Sequence, residues 1–268
     1  MHNFFVMKDF ISKAQIELFI SFLRDDKYSD QVIDVTRLSM IDDDPNRIPT
    51  HSRKIFMSTE GDVGTSMKSM LKNSLKNVMD VYHSDFIATI FQTTGPFSLH
   101  TDEVTGSWNS HTIVVPLECT KTREDGYAST YILEQSNIAD TGTMRIVNPQ
   151  KILVNGNNVN QERIMRQHGR YASLGGSKEA LKGLVDNIPE HPVDTTEIKH
   201  MHKFPGSIEV MKMVSIERKH VWEPGTAFGF ESRQFHVSGD YEENGISERM
   251  WVLIKPMGEL KDEFLVRD

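Results

Sequence analysis

Two residues that could bind a metal ion stand close together in the segment GPFSLHTDEVTG, residues 95–106. His100 and Asp102 follow a strand-like run, and alternate residues of a strand point to the same side, so both side chains could reach one ion. The H-x-D pattern alone is weak, because it is common by chance and the chain contains 11 histidines. It therefore needs support from elsewhere in the chain.

The composition limits which kinds of site are possible. Cys119 is the only cysteine, which excludes an internal disulfide and any multi-cysteine zinc or iron–sulfur site. A bound metal must therefore sit on histidine and carboxylate side chains. The formal net charge of −8 disfavours nonspecific binding to phosphate backbones. A possible basic patch on one helix face, Lys68, Lys72 and Lys76, is expected to be solvated.

A later segment, residues 223–256, supplies that support. A Pro-Gly turn leads into a strand, His236 follows in a Phe-His-Val run, and Arg249 opens a final apolar strand. With these residues the sequence resembles the iron(II)- and 2-oxoglutarate-dependent oxygenase superfamily, and among its members the prolyl-hydroxylase-like enzymes. The resemblance also covers the N-terminal helical segment and residues 85–135, but not the chain between 136 and 222.

The resemblance implies a role for each of these residues. His100, Asp102 and His236 would bind Fe(II), and Arg249 would bind the distal carboxylate of 2-oxoglutarate. Two imidazoles and one carboxylate leave three adjacent positions of the iron open, two for the keto acid and one for O2. Arginine suits the distal carboxylate because its planar, permanently charged fork can donate two parallel hydrogen bonds.

Further residues are candidates for binding. The spacing from His236 to Arg249 is a little longer than is usual in the family, and Lys255 or Arg233 are the alternatives for the distal carboxylate. Tyr131, on a strand after the H-x-D pattern, could donate its hydroxyl to 2-oxoglutarate. Three residues could contact the substrate: Trp108, Asn109 and Arg233.

The activity that the resemblance implies is hydroxylation of a C–H bond, with release of succinate and carbon dioxide. The substrate would be a small molecule or a residue of a protein; nucleic acid is not expected, because no basic stripe with interleaved aromatic residues is present. Two alternatives remain. A cupin-type metal enzyme would use no 2-oxoglutarate and usually carries more histidines, and a non-catalytic jelly-roll binding module would need neither the ligands nor Arg249.

The elements around these residues predict an α+β fold. Apolar residues at helical spacing predict one helix over 9–24, capped by Ser12 or Asp9, and a second over 63–84. Short apolar or alternating runs then predict five strands: 85–94, 111–118, 128–135, 225–232 and 249–256. This order favours helices packed on one sheet of a β-sandwich or barrel. The resemblance implies a double-stranded β-helix, which is a jelly-roll or cupin-like barrel, with the N-terminal helices supporting it.

The length of 268 residues fits a single domain spanning 1–268. The segment from about 136 to 222, with a possible strand pair at 143–154, interrupts the strand series and is expected to be an insertion over the barrel mouth. No run of about 18 apolar residues is present. The N-terminus lacks the features of a signal peptide, so we expect a cytoplasmic protein with no membrane partner.

Overall fold

The structure is a computed structural model, which describes residues 4–38, 50–56, 62–81, 85–97, 102, 111–136, 151–154, 157–158, 201, 215–258 and 260–261. The helices are α1 (Lys13–Arg24), a 3-10 helix (Asp26–Gln31) and α2 (Asp62–Leu75). The strands are β1 (Phe5–Met7), β2 (Ile33–Leu38), β3 (Thr50–Phe56), β4 (Phe86–Thr93), β5 (His111–Lys121), β6 (Ser129–Ser136), β7 (Lys151–Val154), β8 (Asn157–Asn158), β9 (Ile216–Val221), β10 (Ala227–Glu231), β11 (Gln234–Ser238) and β12 (Ile246–Pro256). No helix within these ranges is long and apolar enough to cross a membrane.

Both predicted helices are present. α1 begins after Ser12, which forms a capping box with Gln15: each side chain accepts a hydrogen bond from the other residue's backbone N–H. α2 ends at Leu75, earlier than its apolar periodicity predicts. The chain that follows instead bonds to the C-terminal segment, where Met79 bridges Leu260. A tertiary contact therefore ends the helix before its sequence pattern does.

The strands form two antiparallel sheets. The larger sheet has the order β1-β10-β5-β12-β4-β3-β2-β7-β8, and the smaller has the order β11-β6-β9. The backbone N–H of Ser238 donates to the carbonyl of Phe97, and the N–H of Phe97 donates to the Ser238 hydroxyl. The backbone N–H of Asp102 donates to the carbonyl of Ser232, so Phe97 and Asp102 both lie along the outer edge of β11. The chain thus alternates between the sheets in the order of a double-stranded β-helix. Among the described residues the two sheets do not close into one barrel.

Each face of the larger sheet has its own apolar layer. Three alternate residues of β12 pack with the two helices: Met250, Val252 and Ile254. The residues between them, Trp251 and Leu253, pack in a second cluster with Phe228 and Phe230 of β10 in the same sheet and with Ile132 of β6 in the smaller sheet. Because side chains alternate along a strand, Arg249 and Lys255 also face the smaller sheet. The functional residues of β12 therefore point into the space between the sheets.

All five predicted strands are present, but others were not predicted. β9 lies inside the segment 136–222 that was expected to be an insertion, and it pairs with β6 in the smaller sheet. Its sequence, IERKHV, is mostly polar. Arg218 packs on the ring of Phe4 and His220 on the ring of Phe228, so these two side chains take the place of an aliphatic face. β7 pairs with β2 at the far edge of the larger sheet, whereas residues 143–150 of the predicted strand pair lie outside the described residues.

Candidate metal centre and anion site

Asp102 and His236 lie at one end of the space between the sheets. Oδ2 of Asp102 is 3.5 Å from Nε2 of His236, and their side chains are only 12% and 9% exposed. Ligand atoms about 2.1 Å from a metal ion are about 3.0 Å apart at a right angle and about 3.5 Å apart at a tetrahedral angle. The separation of the two atoms therefore fits binding to one shared ion.

The carbonyl of Gln234 orients the His236 ring. Nδ1 lies 3.2 Å from this backbone carbonyl, and Nε2 points towards Asp102. Burial lowers the pKa of His236, although the nearby Asp102 carboxylate acts in the opposite direction. With its hydrogen on Nδ1, a neutral ring has at Nε2 the lone pair that a metal ion needs.

The donor atoms of Asp102 and His236 fit a transition metal. One imidazole nitrogen and one carboxylate oxygen are typical ligands of Fe(II). His100 lies outside the described residues, as do Trp108 and Asn109. Accordingly, the described part of the chain contains no group of three or more histidine, cysteine or acidic side chains around one point. The structure thus brings together Asp102 and His236, and the third predicted ligand stays a prediction.

Arg249 lies between the sheets with aromatic rings around its guanidinium. Its residue is 4% exposed. The guanidinium carbon is 4.5 Å from the ring centre of Trp222 and 4.8 Å from that of Trp251. Two further rings lie slightly farther away, those of Tyr241 and Phe97. Nη2 donates to the hydroxyl of Ser238, whereas Nε has no hydrogen-bond partner among the described residues.

This buried guanidinium lacks an acidic partner in the described part of the chain. Burial lowers the pKa of Arg249, and the Tyr241 hydroxyl and Cys119 thiol are the groups that oppose this shift. A guanidinium still keeps its charge in a protein, and a buried charge without a counter-ion is costly. The aromatic rings offset part of this cost through cation–π contacts. A carboxylate from a bound molecule would supply the missing counter-ion and satisfy Nε.

The anion site and the metal pair are neighbours on one strand. Ser238, which accepts the hydrogen bond from Arg249, follows His236 by two positions on β11, so both side chains face the space between the sheets. Two residues of a strand span about 6.7 Å. A small dicarboxylate could therefore contact the metal with one end and Arg249 with the other.

The two alternatives to Arg249 lie elsewhere. Nζ of Lys255 is 2.7 Å from the backbone carbonyl oxygen of Asp102 and 4.0 Å from its Oδ1, so this lysine belongs to the metal end of the site. Arg233 is exposed in the turn between β10 and β11. Neither occupies the aromatic surroundings of Arg249.

Tyr131 does not lie with the metal pair. On β6 it alternates with Ile132, which stands opposite His236 and packs between the sheets. The Tyr131 ring is on the other face of the smaller sheet, where Nζ of Lys219 lies 5.4 Å from its centre. The structure therefore separates this residue from Asp102, His236 and Arg249.

Sequence reasoning missed several residues of the site: Thr112, Trp222, Ser232, Ser238, Tyr241 and Trp251. The hydroxyl of Thr112 is 3.2 Å from that of Ser232, whose backbone carbonyl accepts from the Asp102 N–H. For β12 a signal was available, because Arg249, Trp251 and Lys255 share the period of two that places them on one face. For the others the signal is absent, since they become neighbours of the site only through pairing between distant strands.

Comparison with known proteins gives only distant likenesses. No protein-family model and no curated protein matches the chain. A Pseudomonas putida prolyl-4-hydroxylase has 6% identity over 97% of this chain and 94% of its own, with a TM-score of 0.43. SnoK, a non-haem α-ketoglutarate-dependent carbocyclase from nogalamycin biosynthesis, has 9% identity over 96% and 79%, with a TM-score of 0.44.

A viral collagen prolyl hydroxylase from Paramecium bursaria Chlorella virus-1, solved with 2-oxoglutarate, has 7% identity over 96% of each chain and a TM-score of 0.38. Because these likenesses are distant, the fold is assigned from the strand order, and the function is argued from the site residues. The strand order of the two sheets is that of a double-stranded β-helix, the fold that the sequence resemblance implies.

Proposed function

We propose that this protein is a non-haem Fe(II)- and 2-oxoglutarate-dependent dioxygenase. It uses O2 to hydroxylate a C–H bond of a small molecule or of a protein residue, and it releases succinate and carbon dioxide. The observation that carries the proposal is the 3.5 Å separation of Nε2 of His236 and Oδ2 of Asp102, next to a buried guanidinium that has no acidic partner among the described residues.

Asp102 and His236, together with His100, would hold the iron, which when bound supplies the activation of O2. The carbonyl of Gln234 fixes the His236 ring so that Nε2 points towards Asp102. The carbonyl of Ser232 holds the Asp102 backbone at 3.0 Å. These contacts orient the ligands before the metal arrives, so little conformational freedom is lost on binding.

Arg249 would bind the distal carboxylate of 2-oxoglutarate. Its aromatic surroundings exclude water, and an ion pair is stronger in such a low-dielectric environment than in solvent. A cupin-type enzyme would use the metal pair but has no role for this guanidinium, and a non-catalytic module needs neither. The combination of both features favours the oxygenase over these alternatives.

The test is an anaerobic titration of the Fe(II)-loaded protein with 2-oxoglutarate, observing the weak visible metal-to-keto-acid charge-transfer band. We expect the band in the wild type, and we expect Arg249→Ala to require far more 2-oxoglutarate for the same intensity. Arg24→Ala is the matched control, because this arginine lies on α1 in exposed ion pairs outside the space between the sheets, and it should titrate like the wild type. Bound iron without a band would favour the cupin-type enzyme, and absence of iron binding would favour the non-catalytic module.

A further inference from the structure

We propose that Lys255 is a positioning residue for the metal ligand Asp102. Its ammonium group holds the backbone at Asp102 and one carboxylate oxygen, so that the other oxygen alone is presented to the metal. The inference rests on the proposed function, because it concerns how the same site orients its carboxylate ligand.

Lys255 lies on a strand that is held on both sides by neighbouring strands. β12 is hydrogen-bonded on one side to β4 and on the other to β5, and Lys255 itself stands opposite Ile87 of β4. Its side chain is 19% exposed and reaches across the space between the sheets towards Asp102. A group that is fixed at its base and mostly buried can hold a partner in one geometry at a small entropic cost.

The backbone of Asp102 is held at both of its polar groups. Its N–H donates to the carbonyl of Ser232 at 3.0 Å, and its carbonyl accepts from Nζ of Lys255 at 2.7 Å. Ser232 precedes β11, and Lys255 is near the end of β12, so these bonds tie Asp102 to two different parts of the fold. Loss of the lysine would release one of these two constraints.

The two carboxylate oxygens of Asp102 have different neighbours. Oδ2 lies 3.5 Å from Nε2 of His236, whereas Oδ1 lies 4.0 Å from Nζ of Lys255. A carboxylate can bind a metal through one or both oxygens. An ammonium next to Oδ1 opposes a second positive charge at that oxygen, which favours binding through Oδ2 alone. One-oxygen binding keeps a coordination position open that two-oxygen binding would occupy.

A purely structural lysine would affect folding but not the metal. We therefore choose Mn(II) as the probe and measure its dissociation constant from the electron paramagnetic resonance signal of the free ion, with no cosubstrate. Lys255→Met keeps the length and loses the charge and the hydrogen-bond donor. We expect this variant to bind Mn(II) about 10- to 100-fold more weakly, the range typical of residues that orient metal ligands. Lys255→Arg, which can donate to both oxygen atoms, should recover most of the affinity.

Lys219→Met is the matched control. Lys219 is exposed; it also donates to an oxygen atom, the hydroxyl of Tyr127 at 3.2 Å, but it lies on the opposite face of the smaller sheet. Its Mn(II) affinity should equal that of the wild type. The visible spectrum of bound Co(II) gives a second measure, since a change from one-oxygen to two-oxygen binding alters its bands in Lys255→Met and not in Lys219→Met.

Equal Mn(II) affinity in Lys255→Met and the wild type would overturn the inference, and so would an arginine variant as weak as the methionine variant. If the methionine variant does not fold, as judged by near-ultraviolet circular dichroism, Lys255→Gln replaces it and is held to the same criterion. A wild-type chain that binds no Mn(II) would overturn the proposed function, and this inference with it, so the two failures are distinguishable.

Discussion

Nε2 of His236 faces Oδ2 of Asp102 at 3.5 Å, while Nδ1 of the same ring lies 3.2 Å from the carbonyl of Gln234. The two facing atoms come from distant parts of the chain, and a metal ion bound to both would connect them only in the folded state. Such an ion should therefore stabilise the fold by mass action.

Replacement of the carboxylate ligand Asp102 or of the imidazole ligand His100 should abolish both metal binding and activity. Asp102→Ala and His100→Ala are each expected to abolish 2-oxoglutarate-dependent succinate release without unfolding the protein. Mn(II) at about 100 times its dissociation constant should stabilise the wild type by about 2.7 kcal/mol, but neither variant. Thermal unfolding with and without Mn(II) measures this. Asp125→Ala, which removes an exposed carboxylate, is the control, and full activity in Asp102→Ala would exclude the proposed site.

Arg249 should distinguish keto acids by their distal carboxylate. With Mn(II) present, 2-oxoglutarate is expected to raise the unfolding temperature of the wild type, whereas pyruvate, which lacks the distal carboxylate, should raise it much less. In Arg249→Met this difference should disappear, because no guanidinium is left to pair with the carboxylate. Equal effects of the two keto acids on the wild type would mean that Arg249 does not bind the cosubstrate.

His220 should make the fold sensitive to acid. Burial, and then the positive charge of Arg218, lower the pKa of His220 to about 4 from its usual 6.5. Between these pH values the unfolded chain binds a proton at His220 and the folded chain does not. Stability is therefore retained above pH 6.5 and falls as the pH decreases towards 4. His220→Phe removes this effect and keeps a ring against Phe228, which lies 4.2 Å away.

The measurement for His220 is the unfolding temperature from pH 7 to pH 5. The advantage of His220→Phe over the wild type should grow as the pH falls, whereas His51→Phe, at an exposed position of β3, should run parallel to the wild type. A constant difference between His220→Phe and the wild type across this range would contradict the prediction.

The capping box of α1 should contribute measurably to stability. Ser12→Ala removes the hydroxyl that accepts from the Gln15 N–H and is expected to lower the free energy of unfolding by about 1 kcal/mol. Chemical denaturation measures the difference. Ser12→Asp, which retains a capping acceptor, should be close to the wild type; a similar loss in both variants would assign the effect to something other than the cap.

The sequence predicts the elements in which apolar residues recur at a helical or strand period. The prediction fails where polar side chains form the packed face. α1 and the five predicted strands follow from alternation or helical spacing, whereas the grouping of His236 with the H-x-D segment came from the family resemblance. β9 was not predicted because the polar residues Arg218 and His220 form the side of this strand that packs on aromatic rings. The orientation of Tyr131 was open for a related reason: both faces of β6 are buried, so alternation gives no preferred side.

The placement of Lys255 could not be read from the sequence either. The alternation of side chains along β12 gives the face on which Lys255 lies, but its contact with Asp102 depends on the register of β12 against its neighbouring strands and on where residue 102 lies. Such distances come from the register between strands, which local patterns do not specify.

β12 carries Arg249 near one end and Lys255 near the other, on the same face of a strand that is paired along both edges. An insertion or deletion of one residue between them would turn one of the two away from the space between the sheets, whichever way the strand shifted. Length changes between these two residues are therefore tolerable only in pairs. The evolutionary consequence is that relatives of this protein should differ in this part of β12 by substitution, or by gain or loss of two residues together.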